Sequence, residues 1–230
     1  MSARRIVVTG GTRGIGAAIA ARFRAAGDEV IAIGHAECDV TDEAAVAAFF
    51  DRTGPVDVLV NNAGVASSAP LAKTTVQQWQ KAMAVNAFGA FLCTRAVLPG
   101  MLSRDSGRIV TVASTAGLAG TRYTAAYTAA KHAAVGLMRT VAAEVAGTGV
   151  TANAVCPGFV RTDLTAESVR TIVARTGRTA QEAEATLAGM NPLGRLLDPA
   201  EVAAAVGYLA DPGSGAVNGR ALALDGGGIP

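Results

Sequence analysis

Aromatic residues make up only 4% of the 230-residue sequence, and there are two histidines and three cysteines. Cys38, Cys93 and Cys156 lie far apart, without metal-ligand spacing, so no metal is implied. Reduced, buried thiols of a cytoplasmic protein account for them. Charge is also scarce. Twenty Lys and Arg against 18 Asp and Glu leave a net +2 without a long basic run, which argues against a nucleic-acid partner. The first residues, MSARRIVVTGG, lack an apolar signal region with a cleavage site. No run of about 18 apolar residues suggests a membrane span. What is abundant is glycine, with 27 residues, and apolar side chains, which form half of the sequence. A chain of this length and composition suits one domain with a sizeable core.

The stretch TVASTAGLAGTRYTAAYTAAKH, residues 111–132, reads as a strand end, a loop carrying Ser114, and a helix start. Tyr127 and Lys131 are four residues apart and share a helix face. A phenol with a pKa near 10 is a poor acid or base at neutral pH. An ammonium about 4 Å away, at an effective dielectric of about 20, is worth roughly 4 kcal/mol. That predicts a Tyr127 pKa lowered by about three units, close to the working range of a general acid–base. Ser114 can hydrogen-bond the same reacting oxygen. Y-x-x-x-K alone is a common spacing, and its meaning depends on the rest of the chain.

Near the start, the short strand Ile6 to Val8 runs into Thr9-Gly10-Gly11-Thr12-Arg13-Gly14-Ile15-Gly16. Ile15, Ile19 and Phe23 then recur at helical spacing. A strand, a glycine-rich turn and a helix together point to a nucleotide site. Glycines admit the backbone to a pyrophosphate, and the helix N-terminus favours its charge. Gly10, Thr12, Arg13, Gly14, Ile15 and Gly16 are the candidate cradle. A tight strand-to-helix turn without a ligand is the plainer alternative. Ala17 stands where a Walker-type loop needs Lys.

T-G-x-x-x-G-I-G resembles the cofactor turn of the short-chain dehydrogenase/reductase superfamily, in its short single-domain branch. The resemblance extends along nearly the whole chain, through Asn61-Asn62-Ala63-Gly64, Asn86, Ser114, Tyr127 and Lys131, Pro157-Gly158-x-x-x-Thr162 and Asp225-Gly226-Gly227. It implies a Rossmann-like, doubly wound parallel sheet in three α/β/α layers, with 163–191 as a substrate lid. One departure stands out. Only Gly34-His35-Ala36-Glu37-Cys38 separates the strand Val30–Ile33 from Asp39-Val40. A parallel crossover needs a dozen or more residues, so a helix and the edge strand are predicted to be missing, leaving about six strands.

The resemblance also implies roles. Asn62, Ala63 and Gly64 would line the adenosine side, where Asp39 and Val40 can also reach. Asn86 would support a water relay to Lys131, and Lys131 would bind the nicotinamide ribose. Pro157, Gly158, Val160 and Thr162 would hold the carboxamide and phosphates. An acid at the end of the second strand would favour NAD, but Gly34 and His35 stand there. Arg13, helped by His35, is placed for a 2′-phosphate, so NADP(H) is favoured and NAD(H) remains admissible; a solvated Arg13 is the alternative. The expected activity is hydride transfer between a nicotinamide and a carbonyl or alcohol carbon. Asn153 to Val160 is similar to 3-oxoacyl reductases, polyketide ketoreductases and 3-hydroxyacyl-CoA dehydrogenases, which makes a 3-oxoacyl thioester the expected substrate. A small cyclic alcohol, sugar or aromatic diol is the runner-up. A non-catalytic redox sensor is the alternative of another class. Small residues after Tyr127 imply a homotetramer in this family. Arg170, Arg175 and Arg178 on the lid are candidate contacts for CoA or carrier phosphates, or simply solvated.

Overall fold

A computed structural model describes residues 3–229 of the chain. Its strands are β1 (Arg5–Thr9), β2 (Glu29–Ile33), β3 (Val58–Asn61), β4 (Gly107–Val112), β5 (Val150–Pro157) and β6 (Ala221–Leu224). All pair in parallel, in the order β2-β1-β3-β4-β5-β6. Alternate residues of a strand face opposite sides. Ile6, Val8, Val58, Val60, Val110 and Val112 pack on one face with Ile19 and Phe23 of α1 (Gly14–Ala25) and Val202, Val206 and Leu209 of α8 (Pro199–Leu209). Val7, Leu59 and Ile109 pack on the other face. There they meet α2 (Glu43–Thr53), α4 (Gly89–Ser103) and α5 (Ala125–Glu144) through Val46, Phe50, Leu92, Val97, Val135 and Met138. Near-continuous apolar strands are what a sheet covered on both faces requires.

Six strands are present among the described residues, and β2 forms an outer edge. Residues 34–42 make a turn, not a crossover: Cys38 N–H donates to Gly34 O (3.2 Å), and Asp42 caps α2 by accepting from Ala44 and Ala45 N–H. Arg24 donates to Val30 O (3.3 Å), which masks one group on this edge.

β3 starts at Val58, and just before it the Asp57 carboxylate accepts the Arg5 N–H (2.7 Å). A continuous helical run extends from Val76 to Ser103, as α3 (Val76–Met83), a π turn (Ala84–Phe88) and α4. This run is long and apolar enough to cross a bilayer by length and composition. Its Leu92, Cys93, Val97 and Met101 are instead buried within the fold. The segment 163–191 forms α6 (Asp163–Thr176) and α7 (Ala180–Ala188).

The chain reverses its direction of winding between β1 and β3. In such a sheet the crevice lies beyond the carboxyl ends of the strands at that switch point.

Candidate active site

At the switch point the two strand ends are tied together. Thr9 Oγ1 accepts the N–H groups of Asn62 and Ala63, both at 3.0 Å. Asn62 Nδ2 donates to Thr9 O and Gly10 O, also at 3.0 Å. Behind them Asn61 Nδ2 donates to Thr94 Oγ1 and Thr111 Oγ1, bracing β3 against β4 and α4. The turn then drops into α1 so closely that a Cβ on Gly16 would lie 2.2 Å from Gly10 O. Gly14, at φ 53°, faces Thr162.

Arg13 is the N-cap of α1 and makes no side-chain cap hydrogen bond. The first-turn N–H groups therefore lack the usual side-chain acceptor. A dinucleotide pyrophosphate fits these donors and the glycine backbone.

A cleft of about 790 Å³ extends from this turn. Gly10, Thr12, Gly14 and Ile15 form its floor, while Arg13 and His35 stand at its mouth. Asp39, Val40, Asn62, Ala63, Gly64 and Thr162 also line it, as do Asn86, Tyr127 and Lys131. Gly16, Ser114, Pro157, Gly158 and Val160 are not on these walls. Gly16 lies beneath the turn. Val160 is buried and bridges Leu197, and Gly158 N–H donates to Leu224 O (3.0 Å). These two hold the loop after β5 to the body of the protein.

The charges at the mouth differ from the sequence expectation. Arg13 lies 3.8 Å from Asp163, with both side chains more than three-quarters exposed. His35 lies 3.7 Å from Asp39. Hydrogen bonds from Thr41 N–H and Oγ1 hold the Asp39 carboxyl below its ordinary value. The acid-free end expected after β2 is also corrected. Three residues on, Glu37 turns back, and its Oε2 accepts the Gly34 N–H at 2.7 Å. Nothing in linear spacing reveals this, because the short loop decides it.

At the far end Asn86 is 2% exposed and sits in the π turn. Its Nδ2 donates to Val65 O (2.9 Å) and Ala82 O (3.0 Å), and its Oδ1 accepts Val65 N–H (3.1 Å). A mid-helix Asn is thus explained by a clasp on the loop after β3. A void of about 10 Å³ lies among Asn61, Asn86, Thr111 and Lys131, close to the room that one water needs.

Ser114 follows β4 and accepts the Ala116 N–H (3.1 Å). Tyr127 enters from the first turn of α5. Lys131, only 5% exposed, donates to Val112 O (2.9 Å) and lies 5.6 Å from the Tyr127 ring centroid. Burial pushes the Lys131 ammonium down to about 8. The expectation of a Lys-lowered Tyr127 does not hold in this structure: burial pushes the phenol up, and a hydrogen bond with Ser114 pulls it back in part. The physical reason is desolvation of both groups, which outweighs their mutual influence.

Cys156 completes the surroundings. Its thiol is pushed up to about 11 by burial, against a backbone hydrogen bond from Ser114 and the nearby Lys131. The sequence marks Cys156 only as a buried residue; the β4–β5 pairing places it beneath Ser114. The lid arginines are each engaged: Arg170 with Glu167, Arg175 with Ser68 O (3.0 Å), and Arg178 with Thr186 Oγ1 (3.1 Å). Arg170 also lines the cleft.

The family model described as Enoyl-(Acyl carrier protein) reductase matches residues 32–228. The 3-oxoacyl-(acyl-carrier-protein) reductase FabG of Vibrio cholerae is 36% identical, covering 96% of this chain and 95% of its own. The 2-(R)-hydroxypropyl-CoM dehydrogenase of Xanthobacter autotrophicus is 39% identical, covering 97% of both. A variant of actinorhodin polyketide ketoreductase, solved with NADPH, superposes with a TM-score of 0.87 at 37% identity, covering 98% of this chain and 97% of its own.

Proposed function

The chain belongs to the short-chain dehydrogenase/reductase superfamily, and on that premise we propose that it is an NADP(H)-linked reductase of a 3-oxoacyl thioester, with NAD(H) also admitted. The observation that carries this reading is a single cleft with a phosphate-type glycine turn at one end and Tyr127 and Lys131 at the other. The substrate class rests on relatives that are themselves 3-oxoacyl and polyketide ketoreductases.

The α1 N–H groups with Gly10 and Thr12 hold the pyrophosphate. Arg13 and His35 face the 2′-phosphate. Asp39, Val40, Asn62, Ala63 and Gly64 border the adenosine. The loop Pro157–Thr162 takes the carboxamide end. When bound, the nicotinamide supplies hydride to the carbonyl carbon, or accepts it in the reverse direction. Tyr127 gives its phenolic proton to the carbonyl oxygen: its O–H bond breaks as that of the alcohol forms. Ser114 hydrogen-bonds the same oxygen and orients it. Lys131 binds the nicotinamide ribose and, while charged, stabilises the phenolate left on Tyr127. Asn86 fixes the loop beside Lys131, and the small void there offers a one-water route for returning the proton.

We also read the chain as one domain, with 163–191 as its lid, and as a cytoplasmic homotetramer. Free, buried thiols suit a reducing compartment. Phe88 and Phe91, exposed and stacked at 6.0 Å, offer an apolar surface to another copy.

Initial rates of NADPH and NADH oxidation with acetoacetyl-CoA test the proposal. Turnover is expected with NADPH, and Tyr127→Phe should lower kcat/KM by about 10²–10⁴ while leaving NADPH binding largely intact. Nucleotide binding with turnover only on small alcohols, sugars or cyclic ketones would overturn the thioester assignment. Binding without turnover on any of these would identify a sensor.

A further inference from the structure

The shortened link leaves β2 with one side unpaired, because its only neighbour in the sheet is β1. Successive residues of a strand turn their N–H and C=O groups to alternate sides. Glu29 N–H donates to Arg4 O and Gly11 N–H to Ile33 O, both at 2.9 Å, so the odd-numbered residues of β2 face β1. Val30, Ala32 and Gly34, which directly follows the strand, turn the other way. Such an edge is a template for another strand, and a second copy of this chain fits it. In an antiparallel pair with a two-fold axis at Ala32, the two Ala32 residues exchange hydrogen bonds, and Val30 of each copy exchanges them with Gly34 of the other. Ile31 then lies opposite Ile33, an apolar cross-strand pair.

Two side chains stand in the way of that pair. Arg24, in the last turn of α1, donates to Val30 O at 3.3 Å. Glu37, returned by the short link, accepts the Gly34 N–H at 2.7 Å. Val30 O and the Gly34 N–H are the acceptor and the donor of the same intermolecular hydrogen bond. Gly34 O is taken as well, by Cys38 N–H at 3.2 Å, which leaves Val30 N–H without its acceptor. The N–H of Val30 and both groups of Ala32 have no partner among the described residues. Only the exchange at Ala32 is then left to join two copies. We propose that Arg24 and Glu37 cap the edge of β2 and keep two copies of the chain from joining their sheets there. The caps do the work of the missing strand, which would otherwise cover these groups.

Sedimentation velocity over a range of protein concentrations tests this on the wild type and the double variant Arg24→Ala/Glu37→Ala. The double variant loses one charge of each sign, so net charge does not change. It should form a species of about twice the wild-type mass that grows with concentration, while the wild type should not. Adding Ala32→Pro should return it to wild-type behaviour, because proline removes an outward N–H and leaves the ladder to β1 intact. Exchange of the Ala32 amide gives a second reading that does not depend on the proline variant folding. In the double variant this amide should become protected as concentration rises; in the wild type it should exchange freely. A double variant that sediments like the wild type would overturn the proposal. So would a larger species that persists with Ala32→Pro or leaves the Ala32 amide unprotected, since the copies would then meet through another surface.

Discussion

Lys131 and Tyr127 set the pH behaviour at the level of single residues. In the proposed reaction, reduction needs the proton on Tyr127, and burial holds that proton on above the ordinary phenol value. Lys131, pushed down to about 8, loses its charge earlier than an exposed lysine would. The sign follows: reductive kcat/KM should be level near neutrality and fall as pH rises through about 8, while oxidation, which needs phenolate, should rise only above the ordinary phenol value, because burial holds the Tyr127 proton on. A reductive pH–rate profile level to about pH 10, the range of an unperturbed lysine, would contradict the role given to Lys131. The candidate residues of this site were readable in the sequence from their types, their spacing and the family resemblance. Their protonation was not, because Coulomb attraction can be guessed from a four-residue offset whereas desolvation depends on everything packed around the pair.

Between elements, the glycine turn is controlled by how closely α1 lies beneath it. A Cβ at position 16 would meet Gly10 O at 2.2 Å and Asn62 Nδ2 at 2.5 Å. Both are parts of the β1–β3 clasp and cannot shift alone. Gly16→Ala should therefore destabilise by about 1–3 kcal/mol, as overpacking does, at about 2–4 °C of Tm per kcal/mol for a chain of this size. It should also weaken NADPH. Calorimetry with a binding titration checks both effects, and an unchanged Tm would show that the clasp is looser than it looks. The glycine pattern announced this turn in the sequence. Its partner, the hydrogen-bonded pair Thr9 and Asn62, was not legible, because the residues are 53 positions apart and meet only through strand pairing. The π turn at Asn86 was hidden likewise: the resemblance named the residue, but only the loop at Val65 lying beside it shows what the turn holds.

For the molecule as a whole, the consequence of the shortened link is an uncovered strand. β2 pairs only with β1, and four of its five residues are at least partly exposed. β3 and β4 each have partners on both sides. Hydrogen exchange followed by mass spectrometry should find β2 opening well before β3 and β4, because a sparsely packed edge belongs to the low-stability end of a fold. Nucleotide binding should slow its exchange, since the cleft lies at its carboxyl end. Equal protection of β2 and β4 would contradict this. The sequence by itself determined the four-residue spacing that puts Tyr127 and Lys131 on one helix face, and its motifs carried the family resemblance that implied the layered α/β architecture, with the minimum length of a crossover removing the edge strand. Only the tertiary structure decided that Glu37 returns to the end of β2, that Cys156 lies under Ser114, and that Arg13 meets Asp163. Each of these depends on how loops close between strands, and loop closure joins residues whose distance in space is not written in their distance along the chain.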